Sequence, residues 1–190
     1  MATKGDETRM RLIEATRDLI EAKGYHGTGL NEVLAVSGAP RGSLYHHFPG
    51  GKDQLVGEAL TGAGREITGL IRELSAGAAD PFEMVHALLD VLADRMEAAD
   101  YAKGCPAATV ALEVAATHEP LQRACADVYD AWERVLADGL RADGRPAEEA
   151  EELAGTVLAL IEGALVLARA RRSRTPVEQA RRRLRTLLAG

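Results

Sequence analysis

The sequence contains few of the residues on which catalysis, metal binding or secretion depends. Only 4% of its 190 residues are aromatic, two are cysteine and five are histidine. It lacks the GxSxG motif of a nucleophile elbow and the GxxxxGK[ST] motif that cradles phosphates. The histidines lack metal-site spacing, and the adjacent His46 and His47 would point about 100° apart on a helix. We therefore expect no enzyme, no cofactor and no metal site.

The cysteines and the apolar segments restrict the class of protein further. Cys105 and Cys125 fall in separate helical segments without metal-ligand spacing, so we expect buried free thiols, with a redox switch as the alternative. No uninterrupted apolar run approaches the roughly 20 residues that a membrane span requires. Residues 1–6 are too polar for a secretory signal. These absences predict a cytoplasmic protein without a membrane partner.

Charge is distributed unevenly along the chain, whose net charge is −6. The first 60 residues are nearly neutral, residues 61–168 carry a net charge of −12, and residues 169–190 carry +7. The eight arginines of the last segment could form a phosphate-binding patch. They could also be a solvated or structural face that neutralises the acidic middle of the chain, which is the commoner role of such a run.

Apolar residues recur with the helical period along the whole chain, and no convincing segment alternates as a strand would. This pattern predicts an all-α fold of about nine helices. We predict them at about 6–23, 28–37, 41–47, 52–74, 81–98, 106–117, 120–141, 146–171 and 176–189. The fourth contains Gly57, Gly62, Gly64 and Gly69, which either allow close helix packing or make the helix a flexible link.

The most informative segment consists of two short helices around a tight break. Gly38 permits the positive φ that closes the first helix, and Pro40 pre-sets φ for the first turn of the second. Thr28 is predicted to cap the first helix with its hydroxyl. In the second helix Leu44 and Phe48 are four residues apart and should face inward, which leaves small, polar and cationic residues outward. This layout is typical of a DNA-reading helix-turn-helix.

The string SGAPRGSLYHHF, followed by a Lys-Asp-x-Leu helix start, closely resembles the N-terminal domain of TetR-type transcriptional regulators. The motif GGKDQL and the segment 103–106 are similar to the subgroup related to the LmrA and YxaF repressors. The resemblance covers about the first 60 residues, and the remaining helical pattern is compatible with the family's ligand-binding, dimerising body. It implies a DNA-binding domain over residues 1–51 and a ligand-binding and dimerisation domain over residues 52–190.

The resemblance also assigns DNA contacts, to Thr28, Arg41, Gly42, Ser43, Tyr45, His46 and Lys52. Two features depart from the family pattern. Pro40 stands where many members have Ser or Thr, so Ala39 would hold the cap position of the second helix. The loop before Lys52 is one residue longer than the common form, which leaves open which phosphate Lys52 would contact.

The later helices carry candidate residues for an effector pocket and for dimerisation. The pocket residues implied chiefly by the resemblance are Met84, Leu88, Leu92, Met96, Leu112, Glu113, Tyr129 and Trp132. Ordinary core packing is the alternative role of such residues. Gly155, Ala159 and Gly163 form a ridge of small residues, and Leu184 and Leu188 belong to a matching stripe, so we predict a symmetric dimer through a four-helix bundle. Packing within a monomer is the alternative.

These features together predict a TetR-type repressor that binds a palindromic, double-stranded DNA operator as a homodimer. A small apolar effector in the body would release it from DNA through the fourth helix. The alternative is a dimeric small-molecule sensor or carrier in which the helix-turn-helix is vestigial. Specific duplex binding distinguishes the two hypotheses.

Overall fold

Nine α-helices form the fold in the computed structural model, which describes residues 4–189. They are α1 (Lys4–Gly27), α2 (Leu30–Ser37), α3 (Arg41–His47), α4 (Gly51–Gly77), α5 (Pro81–Ala98), α6 (Pro106–Val114), α7 (Glu119–Ala142), α8 (Ala147–Arg171) and α9 (Thr175–Leu188). Within that range no residue lies in a strand. The predicted all-α class and helix order are confirmed, and most helix ends lie within a few residues of the predicted positions.

The end of α1 depends on a glycine. Gly24 has φ 70° and ψ −169°, so the regular helix is interrupted there, where the sequence predicted its end, although a further turn continues to Gly27. A Cβ atom at position 24 would overlap the carboxylate of Glu113, which belongs to α6. Glycine is therefore required at this position both by its backbone conformation and by the close approach of a side chain.

The first of two compact units consists of residues up to Ala63 together with Cys105–Val128. One core cluster joins α1 to α2, α3 and α4: Leu12, Ala15, Leu19, Val33, Ala39, Leu44, Phe48 and Leu55. A second cluster brings in α6 and α7: Ile20, Val56, Ala59, Leu60, Val110, Val114, Leu121 and Cys125. The hydroxyl of Thr109 adds a hydrogen bond to the Ile20 carbonyl at 2.8 Å. This compact unit thus extends well beyond residue 51.

The second unit consists of Gly64–Gly104 and the chain from Tyr129 onward. Its helix α5 begins with two side-chain caps, in which Asp80 accepts the Glu83 N–H at 2.8 Å and Glu83 accepts the Ala79 N–H at 3.0 Å. The indole of Trp132 is 3% exposed and donates to the Gly64 carbonyl at 3.0 Å. That bond joins α7 to α4 within this unit.

Helix α8 corrects one expectation about apolar segments. It is long and apolar enough to cross a membrane by length and composition, with an 18-residue window of mean hydropathy 1.7. Eight of its residues are nevertheless buried in the protein: Ala150, Ala154, Val157, Leu158, Ile161, Ala164, Leu165 and Ala168. The core helix of a compact protein meets the same criterion, so this single helix is weak evidence for a membrane span.

Candidate functional site

The joint between α2 and α3 is tight. Gly38 has φ 62° and its N–H donates to the Leu34 carbonyl at 3.1 Å, which closes α2 as predicted. Pro40 holds the cap position of α3 with φ −63° and ψ 142°, and its carbonyl accepts the Ser43 N–H at 2.9 Å. The prediction that Ala39 would hold this position is therefore wrong by one residue. The fixed φ of proline suits the extended cap as well as a first helical turn.

One face of α3 is anchored and the opposite face is open. Leu44 and Phe48 are both 0% exposed, which confirms the predicted inward pair. The outward residues are Arg41, Gly42, Tyr45 and His46, with Ser43 half-buried beside them. Tyr45 is 51% exposed, a large value for an aromatic side chain. The helix thus presents hydroxyl, imidazole and guanidinium groups on a surface that no described core residue covers.

Asn31 joins this surface, although no pattern in the sequence pointed to it. Its Oδ1 accepts a hydrogen bond from Nη2 of Arg41, which fixes the guanidinium against the first turn of α2. Asn31 itself is exposed. The only signal in the sequence was an asparagine near the start of α2, and its pairing with Arg41 depends on how the two helices cross.

Thr28 lies beneath this surface. It is 1% exposed, and its hydroxyl donates to the Gly24 carbonyl at 2.7 Å. Gly29 holds the cap position of α2, without a side-chain cap bond. The prediction that Thr28 caps α2 is therefore wrong, because the broken end of α1 offers the hydroxyl an acceptor of its own.

Lys52 lies in the first turn of α4 among charged and aromatic groups. Its Nζ is 4.2 Å from the ring centroid of Tyr25, and burial lowers the pKa of Lys52, partly offset by Asp53 and Glu113. The Tyr25 hydroxyl donates to Asp53 Oδ1 at 2.6 Å. Burial, followed by the Asp53 carboxylate, raises the pKa of Tyr25 to about 12. Hydrogen bonds from Tyr25 and then His118 lower the pKa of Asp53.

Two of the predicted pocket residues belong to α6 in the first unit. Leu112 is 83% exposed, so its side chain projects into solvent. Glu113 accepts the His26 N–H at 2.7 Å and so satisfies a backbone donor at the end of α1. Both positions suit roles other than lining an enclosed apolar pocket.

The other predicted pocket residues belong to the second unit. Met84, Leu88, Met96 and Trp132 are between 2% and 6% exposed, whereas Leu92 and Tyr129 are half-buried. The ring of Tyr129 meets that of Trp132 edge to face, with centroids 5.6 Å apart. An apolar crevice beside Met84 is lined by Pro81, Met84, Val85, Leu136, Leu140, Val157 and Leu188. It is too narrow to hold a water molecule, so these residues are packed as a core in this conformation.

The predicted association residues divide between surface and core. Leu184 and Leu188 are 0% and 6% exposed and pack within the second unit, and Gly155 is half-buried. The exposed small and apolar residues of α8, which we call the α8 face, are Ala159, Gly163, Val166 and Leu167. Val166 and Leu167 are 49% and 46% exposed. Leu167 belongs to the apolar band of α8 that predicted an association surface, whereas Val166 was not predicted there, because a helical band alone does not reveal which side faces the protein's own core.

Arginines near the C-terminus pair with carboxylates of α5. Arg174 contacts Asp90 at 2.7 Å and Asp94 at 2.5 Å, and Arg181 also pairs with Asp90. The pKa of Arg174 is raised, chiefly by its hydrogen bond to Asp94. For these two residues the geometry favours neutralisation of the acidic helix over a phosphate-binding patch.

Neither Cys105 nor Cys125 forms a disulfide in the part of the chain that the structure describes, and of the two thiols predicted to be buried only that of Cys125 is. Cys125 is 2% exposed, and burial raises the pKa of its thiol to about 11, whereas Cys105 is half-buried. No group of three His, Cys, Asp or Glu side chains among residues 4–189 could hold a metal ion.

Comparisons with known proteins agree with this geometry. Residues 12–59 match the family of bacterial regulatory proteins called tetR, and residues 81–183 match the C-terminal domain of LmrA/YxaF-like transcriptional regulators. An HTH-type transcriptional regulator of Mycobacterium tuberculosis is 38% identical over 185 residues, covering 95% of this chain and 93% of the relative. LmrA of Bacillus subtilis is 36% identical over 171 residues, covering 90% and 91%.

Solved structures have the same architecture. A TetR transcriptional regulator from Chloroflexus aurantiacus superposes with a TM-score of 0.82 at 30% identity, over 98% of this chain and 96% of that one. One from Legionella pneumophila gives a TM-score of 0.86 at 18% identity, over 99% and 98%, which shows a shared fold. The chain belongs to the TetR family of bacterial transcriptional regulators, within its LmrA/YxaF-like group.

Proposed function

We propose that this regulator is a ligand-responsive repressor that binds a palindromic operator as a homodimer in the cytoplasm. The observation that carries the proposal is the open face of α3, where Arg41, Tyr45 and His46 are exposed opposite the buried Leu44 and Phe48. A helix with this division can enter a major groove while its inner face stays attached to the protein.

The proposed DNA contacts have different roles. Arg41, oriented by Asn31, can reach a guanine edge or a phosphate, and Gly42 allows close approach of the backbone. Ser43, Tyr45 and His46 can donate hydrogen bonds to phosphate oxygens, and Lys52 supplies a cation beside them. Thr28 is buried and fits a structural role, in which its hydroxyl bonds the Gly24 carbonyl at the end of α1.

Dimerisation is required because one recognition helix covers only a half-site. Paired helices would occupy successive major grooves, roughly 34 Å apart or somewhat more. The α8 face supports such a contact, since its exposed apolar side chains lie beside small residues that allow another helix to approach closely. Leu184 and Leu188, which are buried in the second unit, lie outside the proposed contact.

An effector would act on the second unit. The apolar crevice beside Met84 is too narrow for a ligand in this conformation, so an apolar effector that binds there must favour a conformation in which the lining side chains separate. Methionine suits such a site because its side chain adapts its shape easily. Weakening of DNA binding would follow from the effector's differential affinity for the two conformations.

The test is a binding selection of purified protein on randomised duplex DNA, followed by sequencing, with Tyr45→Ala in parallel. Leu112→Ala is the matched control, because it also removes an exposed apolar side chain but lies on α6. The expected result is an inverted repeat enriched by the wild type and the control and not by Tyr45→Ala. Absence of any enriched sequence would contradict the proposal and favour a small-molecule sensor or carrier with a vestigial helix-turn-helix.

A further inference from the structure

A chain of contacts within the first unit connects the start of α7 to Lys52. His118, which precedes α7, lies with Nε2 3.0 Å from Asp53 Oδ2, while Asp53 Oδ1 accepts the Tyr25 hydroxyl at 2.6 Å. The ring of Tyr25 in turn lies under the Lys52 ammonium, 4.2 Å from its centroid. The carboxylate of Asp53 is thus held on both oxygens, by residues far apart in sequence.

The hydrogen bonds of His118 indicate which nitrogen carries its proton. Nδ1 accepts the Leu121 N–H at 3.3 Å and thereby caps the first turn of α7. In a neutral imidazole one nitrogen accepts and the other donates, so Nε2 carries the hydrogen and donates it to Asp53. One side chain therefore caps α7 and fixes the first turn of α4.

The position of Asp53 is unusual for a residue beside a proposed DNA contact. A carboxylate next to a lysine that approaches phosphate repels the DNA, and 51% of its side chain is exposed, so solvent only partly screens it. Its two hydrogen bonds give a reason for its presence. They orient the Tyr25 ring, and that ring holds the long, flexible side chain of Lys52 in one direction.

We propose that Asp53 and His118 are positioning residues for DNA binding, which act by fixing the Tyr25 ring against which the Lys52 ammonium packs. The inference rests on the proposed function, because it presumes that Lys52 contacts a phosphate. It adds a dependence of that contact on the α6–α7 junction, where His118 is located.

Asp53→Asn distinguishes a positioning role from simple charge repulsion, because the two predict opposite changes in operator affinity. Removing a negative charge beside the DNA should strengthen binding if Asp53 has no other role. The positioning role predicts weaker binding by roughly threefold per subunit, and so about tenfold for a dimer on two half-sites. The asparagine amide cannot accept the His118 Nε2–H at the position of Oδ2, although its oxygen can still accept from Tyr25.

His118→Asn separates positioning from helix capping. Asparagine is a good N-cap residue, so α7 keeps its cap, but its shorter side chain loses the bond to Asp53. We expect this variant to weaken operator binding as Asp53→Asn does, and to lower the thermal midpoint only by the loss of the bond to Asp53. His118→Ala, which loses both bonds, should lower the midpoint further.

The measurement is operator affinity by fluorescence anisotropy over a range of salt concentrations, on the duplex enriched in the selection. Lys52→Gln should reduce the slope of log K against log salt by about 0.9 per lost contact. Asp53→Asn and His118→Asn should reduce it in the same direction. In a Lys52→Gln background, Asp53→Asn should no longer weaken binding, because no lysine is left to position.

Tighter binding by Asp53→Asn, or equal weakening with and without Lys52, would overturn the inference. If the wild type selects an operator but Lys52→Gln leaves affinity and slope unchanged, the positioning role is overturned while DNA binding stands. A wild type that selects no duplex overturns the proposed function as well.

Discussion

Thr28 provides the sharpest test of whether the structure or the family resemblance assigns a residue correctly. Thr28 is 1% exposed, and Thr28→Val preserves the shape of its side chain but removes the hydroxyl that donates to the Gly24 carbonyl at 2.7 Å. The loss of this bond inside the protein should lower the free energy of unfolding by about 1–2 kcal/mol. Thr28→Ser keeps the hydroxyl and is the matched control.

The same variant should leave DNA binding by the folded protein unchanged, because a buried side chain cannot contact a phosphate. Unfolding in urea, followed by circular dichroism, measures stability, and fluorescence anisotropy at several salt concentrations measures affinity. We expect parallel salt dependences for the wild type, Thr28→Val and Thr28→Ser. A difference in stability without a difference in slope would establish the structural role.

Two results would refute this reasoning. One is a Thr28→Val protein as stable as the wild type within about 0.3 kcal/mol, since a buried hydrogen bond is typically worth more. The other is a folded variant whose salt slope falls by about 0.9 per subunit, which is the signature of a lost phosphate contact. In that case the contact implied by the resemblance would be correct.

Further variants test the rest of the molecule. Val166→Asp on the α8 face should raise the dimer dissociation constant by at least about tenfold in sedimentation equilibrium, because it buries a charge in the contact. The control Leu112→Asp should leave the constant unchanged. Equal dissociation constants for the two variants would show that the α8 face is not the interface. Trp132→Phe loses a buried bond to a backbone carbonyl and should unfold in urea with about 1–2 kcal/mol less stability, and an unchanged midpoint would contradict this. The folded-state pKa of Asp53 is lowered, so its contribution to stability is present above its unfolded pKa of about 3.9 and is lost as pH falls through the folded value. The Asp53→Asn variant should therefore lose less free energy of unfolding than the wild type as the pH falls. Identical pH dependences of the two unfolding free energies would show that the Asp53 carboxylate does not contribute to stability. Cys125, with its pKa raised to about 11, should react with a disulfide reagent near pH 8 only after unfolding; rapid labelling of native protein would contradict its burial.

Local sequence patterns were enough to predict a structural feature where that feature depends only on residues near it in the chain. The inward placement of Leu44 and Phe48 follows from helical spacing, and the closure of α2 follows from the conformational freedom of Gly38. The interruption of α1 at Gly24 was likewise predicted from the presence of a glycine. Prediction was less accurate at Pro40, because proline fits both the cap and the first helical turn, and one residue separates the two.

Partners distant in sequence could not be predicted in this way. Thr28 bonds the broken end of α1, and Asn31 orients Arg41 from an adjacent helix. Periodicity identified Leu184 as apolar but could not decide whether it faces a partner or its own core, because both environments select the same side chains.

The sequence by itself determined nine helices, the helix-turn-helix and the family, because helical period, turn residues and a short motif are all local properties. Only the tertiary structure decided that α6 and the start of α7 share a compact unit with the helix-turn-helix. The bonds that hold α6 and the start of α7 in this unit join Thr109 to Ile20, Glu113 to His26 and His118 to Asp53, across long stretches of chain. No local pattern specifies such pairs, because they form only when separate helices pack against one another.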